Sequence, residues 1–120
     1  MTTYALLLPG DEAWWETETG QAEGMPRHER FSALLAERGH TITGGAELMP
    51  SAQARTVRPA PDGSAEPGSG VVTDGPYAES VEQMGGFYLV ETDDLDDLLA
   101  VCAVLACPGH SVEVREVVVR

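Results

Sequence analysis

Two helical segments and two wholly apolar strands predict an α+β fold for this 120-residue chain. The segments Tyr4–Leu8 and Phe87–Val90 are apolar at every position, which is typical of strands covered on both faces. A three-and-four spacing of apolar residues, the pattern of an amphipathic helix, occurs once in each half of the chain. Because two helices can cover only one face of a sheet, something else must cover the other face.

The first predicted helix begins at Pro26, since proline fits the first turn, where its missing N–H needs no partner. Gly39 is expected to end it. The residues that share one face of this helix are His28, Phe31, Leu34, Leu35 and Arg38. The preceding segment, 11–24, is acidic and interrupted by glycine, and we expect a loop there with at most one helical turn.

Three short strands are expected in the middle of the chain, at His40–Thr43, Arg55–Arg58 and Val71–Thr73. Gly44-Gly45 should end or bulge the first of them. Segment 59–70, PAPDGSAEPGSG, has the composition of a mobile hairpin tip, and we expect no functional contact from it.

The second predicted helix is capped by Thr92 or Asp93 and has four aspartates near its start, where the helix dipole favours them. Its apolar face consists of Leu95, Leu98, Leu99, Cys102 and Leu105. Pro108-Gly109 should stop it, and the last strand is expected within 111–119. We expect the two cysteines to be reduced thiols on this helix, with no base beside them and no metal-site spacing.

The resulting order, β-α-β-β-(β)-β-α-β, is that of the ferredoxin-like split βαβ arrangement with a four-to-five-stranded sheet. The open face of that sheet is apolar in two strands. A second copy of the chain is the simplest cover, so we expect a homodimer through this face.

The composition predicts one acidic, soluble, cytoplasmic domain over residues 1–120. Seven basic and 20 acidic residues give a net charge of −13, which argues against nucleic acids and anionic membranes as partners. No apolar run approaches the roughly 18 residues of a membrane helix, and the N-terminus lacks the basic region of a signal peptide.

The run DGPYAESVEQMGGFYLVE resembles the signature of the YCII-related family, in its DGPF branch. The similarity extends to the opening YALLLPGDEAWW, to RHERFSALLAERG, and to ETDDLDDLLAVCA and SVEVREV near the end. The resemblance implies a dimeric α+β barrel, in which two ferredoxin-like sheets lie face to face.

The resemblance also implies a candidate catalytic pair, with His28 as a general base and Asp74 as its orienting residue or as a second acid. A carboxylate fixes the tautomer of an imidazole and raises its basicity. Tyr4 and Tyr77 are candidate substrate-binding residues. No cofactor is expected and no metal site, because His28, His40 and His110 have no ligand spacing.

Considered without the resemblance, His28 and Asp74 can also have purely structural roles. His28 shares a helical face with Phe31 and Leu35, as a packed histidine would, and Asp74 before Gly75-Pro76 could simply hold a turn. The sequence is therefore compatible with two functions. One is a small cofactor-free enzyme acting on a small organic substrate. The other is a non-enzymatic dimeric module that binds a small ligand or a protein partner, in a regulatory setting, since DGPF relatives are often encoded beside extracytoplasmic-function sigma factors.

Overall fold

Six strands and three helices make up the chain in a computed structural model that describes residues 1–120. In chain order they are β1 Thr2–Asp11, α1 Glu12–Trp15, α2 Glu18–Glu37, β2 Thr41–Glu47, β3 Arg55–Arg58, β4 Val71–Asp74, β5 Glu82–Thr92, α3 Leu95–Cys102 and β6 Glu113–Glu116. A single 3₁₀ turn, Ser51–Gln53, lies between β2 and β3. None of the helices is both long and apolar enough to cross a bilayer.

The chain forms two compact units. The first consists of Met1–Leu48 and Val81–Arg120, and the second is Met49–Ser80. The second unit is thus inserted in sequence between β2 and β5. The expectation of a single domain over 1–120 stays a prediction.

The first unit contains a four-stranded sheet in the order β2-β5-β1-β6, with every neighbouring pair antiparallel. Two crossover helices and this order confirm a mixed α+β fold compatible with the ferredoxin-like arrangement. The register places Leu6 of β1 between Tyr88 of β5 and Val114 of β6. Because side chains alternate between faces, this register fixes which residues meet the helices.

The core lies between one face of that sheet and the helices α2 and α3. Phe31 and Leu35 from α2, and Leu98 from α3, are almost completely buried against Leu6 and Val90. Burial of each such side chain stabilises the fold by roughly 1.5–3 kcal/mol. Neither helix covers the opposite face of the sheet, where Ala5, Leu7, Phe87 and Leu89 are half-buried.

The first long helix begins earlier than the sequence predicted. Segment 11–24 was expected to be a loop, but it contains α1 and the first part of α2. Thr17 is the true N-cap of α2, because its Oγ1 accepts a hydrogen bond from the Gly20 N–H at 2.9 Å. Pro26 therefore lies inside the helix, on its exposed side, and not in its first turn.

The second long helix is shorter than expected. Its N-cap is Asp94, which accepts from the Asp97 N–H at 3.0 Å, and it ends at Cys102. Cys107 therefore does not lie on the helix, contrary to the prediction, because the chain has already turned before Pro108. The last strand is also confined to Glu113–Glu116.

The middle strands follow the prediction with one difference in pairing. β2 extends through Gly44-Gly45, and the register shift between Ile42 and Gly44 confirms the expected bulge. β3 and β4 occur where predicted, but they pair with each other in a separate two-stranded sheet inside the second unit. Segment 59–70 contains turns closed by hydrogen bonds, including Gly63 N–H to Ala60 O at 2.9 Å.

Candidate functional site

His28 and Tyr88 form a hydrogen-bonded pair on the helical side of the sheet. Nδ1 of His28, on α2, lies 2.7 Å from the hydroxyl oxygen of Tyr88, on β5, and both residues are half-buried. Tyr88 points toward α2 because it alternates with Phe87 and Leu89, which face the other way. Strand register and helix phase together bring an imidazole and a phenol, two proton-transfer groups, into contact.

Burial sets the protonation state of both groups near neutral pH. Burial lowers the pKa of His28 below 6.5, because the charged imidazolium loses solvation, while the negative charge of Glu47 opposes this shift. Burial and Glu47 both raise the pKa of Tyr88 above 10. The pair therefore consists of a neutral imidazole and a protonated phenol, which is the resting state that an acid–base pair requires.

The second ring nitrogen of His28, Nε2, takes no part in the contact with Tyr88. In the tautomer whose Nδ1–H donates to the Tyr88 oxygen, Nε2 carries a free lone pair and Tyr88 keeps its O–H to donate.

Aromatic rings form one wall beside this pair. The Trp15 ring lies 5.8 Å from the His28 ring, centroid to centroid, and the Phe31 ring lies 5.2 Å from the Tyr88 ring. Trp15 can lie against α2 because residue 24 is glycine, since a Cβ there would meet the Trp15 ring at 2.3 Å. The apolar wall supplies the desolvation that shifts both pKa values.

The other predicted site residues are Asp74, Tyr77 and Tyr4. Asp74 belongs to the second unit, is exposed, and pairs with Arg55 at 2.5 Å. Tyr77, in the same unit, is 80% exposed and carries the Arg58 guanidinium over its ring at 5.5 Å. The turn after Asp74 is held by the Gly75 N–H, which donates to Ala54 O at 2.7 Å. The pairing of His28 with Asp74 stays a prediction.

Tyr4 lies in the first unit, on the helical face of β1, where it packs against the core. Its role in substrate binding also remains a prediction. The structure thus brings His28 together with Tyr88 and Glu47, neither of which was singled out in the sequence. The position of Tyr88 on the helical face could have been predicted from the sequence FYLV, because side chains alternate along a strand and Tyr88 must share a face with Val90.

A separate surface cavity of about 390 Å³ lies next to α2, on the side of Arg27 and Arg30. Ala103 and Val104, just after α3, complete its lining with Pro26. His28 does not line it. No group of three or more His, Cys, Asp or Glu side chains is arranged to hold a metal ion.

Comparison with known proteins identifies the family of the chain. An uncharacterized protein of Rhizobium meliloti (strain 1021) is 41% identical over 54 residues, which are 45% of this chain. The match spans only 39% of the length of that relative. The YCII-related domain matches residues 2–119, almost the whole sequence. The chain therefore belongs to the YCII-related family.

Proposed function

We propose that this chain is a small, cofactor-free enzyme of the DGPF branch that transfers protons on a small organic substrate. The observation that carries the proposal is the 2.7 Å contact between His28 and Tyr88. His28 Nε2 is the general base, and the Tyr88 O–H is the general acid. Reactions of this type include isomerisation and elimination next to a carbonyl group, because both need one proton removed and another delivered.

Electrostatics supports these roles. A base with a pKa below its ordinary value is unprotonated at neutral pH and ready to accept a proton. Glu47 limits the fall in the pKa of His28, which keeps the imidazole basic enough to react. The same carboxylate stabilises the imidazolium that forms after proton transfer.

The proposed assembly is a homodimer through the open sheet face. Ala5 lies opposite Leu89, and Leu7 lies opposite Phe87, so the four apolar side chains form one continuous patch. No side chain of α2 or α3 lies on this face. A second copy placed sheet to sheet would bury the patch as a sandwich core about 10 Å thick.

The enzyme function is tested by hydrogen–deuterium exchange into substrate. The wild-type protein is incubated in D₂O with pools of small ketones, lactones and keto acids, and each compound is followed by proton NMR. At least one compound should exchange at carbon. His28→Gln should abolish exchange, and Tyr88→Phe should slow it by roughly 10²–10⁴-fold, the usual contribution of acid–base catalysis.

The exposed neighbour Glu29→Gln is the control and should retain full activity. Exchange that persists in His28→Gln would refute the catalytic assignment. A compound that binds and raises the melting temperature, but never exchanges or reacts in any protein, would favour the non-enzymatic ligand-binding module.

The ligand-binding alternative has one observation in its favour. Arg27 and Arg30 make no ion pair, unlike Arg38, Arg55 and Arg115, yet they line the 390 Å³ cavity of a chain with net charge −13. Such a cavity suits an anion, because arginine forms bidentate bonds with carboxylate and phosphate groups. Titration with phosphate and with succinate, read by NMR, should show binding that Arg27→Gln/Arg30→Gln removes and Arg115→Gln retains.

A further inference from the structure

Cys107 and His110 face each other across a tight turn. The Cys107 N–H donates to the His110 carbonyl at 3.1 Å, and the His110 N–H donates to the Cys107 carbonyl at 2.8 Å. Between them Pro108 occupies the second turn position, and Gly109 has φ +83°, as a type II turn requires at its third position. The tetrapeptide Cys-Pro-Gly-His therefore fixes its two end residues side by side.

The turn brings the thiol to the imidazole. Sγ of Cys107 lies 3.6 Å from Nδ1 of His110, and the thiol belongs to a half-buried residue that solvent can reach. The imidazole is held from both sides. The Trp14 ring lies 4.8 Å from it, and a Cβ on Gly10 would come within 2.4 Å of its Cδ2. His110 therefore cannot swing away from the sulfur without disturbing β1 and α1.

The surroundings of His110 assign its hydrogen to Nδ1. Its Nε2 is enclosed and has no partner, so a hydrogen placed there would be buried without an acceptor. Nδ1, by contrast, lies 3.3 Å from the Pro108 carbonyl and next to the sulfur. In this tautomer the imidazole presents an N–H to the sulfur. Asp11 packs against Gly109, and it caps α1 by accepting the Ala13 N–H at its Oδ1.

We propose that Cys107 is a reactive thiol, held and activated by His110, and a site of covalent modification by small carbon electrophiles. The Cys107 proton leaves to solvent, and the N–H of His110 donates to the thiolate that remains. The thiolate then attacks the electrophilic carbon. An S–C bond forms, the bond to the leaving group breaks, and that group departs with the electron pair. His110 acts here as a positioning residue.

The second cysteine provides an internal comparison. Cys102 is buried in the core on α3, and burial raises its pKa to about 11. A protonated and enclosed thiol does not react with electrophiles. The two cysteines are five residues apart in sequence and have opposite environments. The sequence Cys-Pro-Gly-His is typical of a turn. The turn was not predicted, because both cysteines were expected to lie on the second helix.

The test is alkylation by iodoacetamide at pH 7, with the modified residue located by tandem mass spectrometry. Cys107 should react about tenfold faster than glutathione, because an ordinary thiol is only a few per cent ionised at this pH. Cys102 should react only in urea. The absorbance of the thiolate in the ultraviolet should be present in the wild type and lost in Cys107→Ser.

The decisive variant is His110→Leu, whose apolar side chain has no N–H to donate to the sulfur. Both the thiolate absorbance and the acceleration should disappear, while the circular dichroism spectrum stays that of the wild type. If Cys107 reacts no faster than glutathione, or if His110→Leu keeps the full rate and absorbance, the proposal is wrong. Should His110→Leu fail to fold, the wild-type comparison of Cys107 with glutathione decides alone.

Discussion

Nε2 of His40 lies 2.7 Å from Oδ2 of Asp97, and this contact ties the turn between α2 and β2 to the first turn of α3. The imidazole is almost fully buried, and its Nδ1 lies 2.6 Å from the hydroxyl of Thr92 at the end of β5. Both contacts of the imidazole are satisfied when its Nε2–H donates to the carboxylate and the Thr92 O–H donates to Nδ1. Arg38 adds a second bond to Asp97 at 2.9 Å. A hydroxyl, an imidazole and a carboxylate thus join β5, the turn after α2, and α3.

This contact predicts loss of stability in acid. The hydrogen bond from His40 is the main cause that holds the pKa of Asp97 below its ordinary value of 3.8, with Arg38 adding to it. A carboxyl group whose pKa is depressed by folding stabilises the protein above the unfolded pKa, and the contribution is lost as the pH falls through the folded pKa. Urea unfolding between pH 2 and pH 7 should show this decline.

Asp97→Asn should remove the part of the decline that comes from this group and lower stability at pH 7. Asp96→Asn, at an exposed neighbour in the same helical turn, is the matched control. If stability falls equally at low pH in the wild type and in Asp97→Asn, the role given to Asp97 is wrong.

Thr92→Val should destabilise the protein at neutral pH by about 1–3 kcal/mol, because it leaves buried polar groups without partners. The substitution keeps the shape of the side chain. It removes the donor to His40 Nδ1 and the acceptor for the Asp94 N–H, which lies 3.0 Å from Thr92 Oγ1. Thr41→Val, exposed on β2, should change stability by less than about 0.5 kcal/mol. Chemical denaturation of both variants measures the difference, and equal effects would refute the role of Thr92.

Gly24→Ala should destabilise the protein, although alanine normally favours a helix interior over glycine by about 1 kcal/mol. The new methyl group would overlap the Trp15 ring, because three atoms of that ring would lie within 2.8 Å of it. Trp15 must then move from its position beside His28. Tryptophan fluorescence should shift to longer wavelength, and the melting temperature should fall. Ser32→Ala, an exposed position of α2, is the control and should leave fluorescence unchanged. A rise in melting temperature for Gly24→Ala would show that Trp15 is not packed on residue 24.

Local patterns predicted most strands but not the way in which the helices begin and end. Alternation and apolar runs located β1, β3, β4 and β5, because side-chain period in a strand is a local property. The start of α2 was missed because Pro26 suggested a first turn, whereas the Thr17 cap overrides that signal. The partners of His28 were not predictable from its own helix. Tyr88 is 60 residues away, and only the register of β5 on β1 brings it close.

Glu47→Gln should lower the pKa of His28 further, because the negative charge of Glu47 is what opposes the effect of burial. The measurement is an NMR titration of the His28 ring. Asp74→Asn in the same experiment tests the expected pair, since removal of a carboxylate in contact with His28 would also lower its pKa. No change in Asp74→Asn would leave Asp74 as the partner of Arg55 alone. No change in Glu47→Gln would contradict the electrostatic role given to Glu47.

Leu89→Glu should convert the proposed homodimer into a monomer. Leu89 lies directly opposite Ala5 on the open face of the sheet, away from the core cluster that Val90 joins. A carboxylate at this position would be buried without a partner in a face-to-face dimer, and such burial costs far more than an interface residue contributes. In a monomer the same carboxylate would remain solvated, so the fold itself should persist. Light scattering at micromolar concentration should give a dimer mass for the wild type and a monomer mass for Leu89→Glu. Ser32→Glu, exposed on α2 and on the opposite side of the sheet, should stay dimeric. A wild-type protein that is already a stable monomer would refute the assembly, and a dimeric Leu89→Glu would place the interface on another surface.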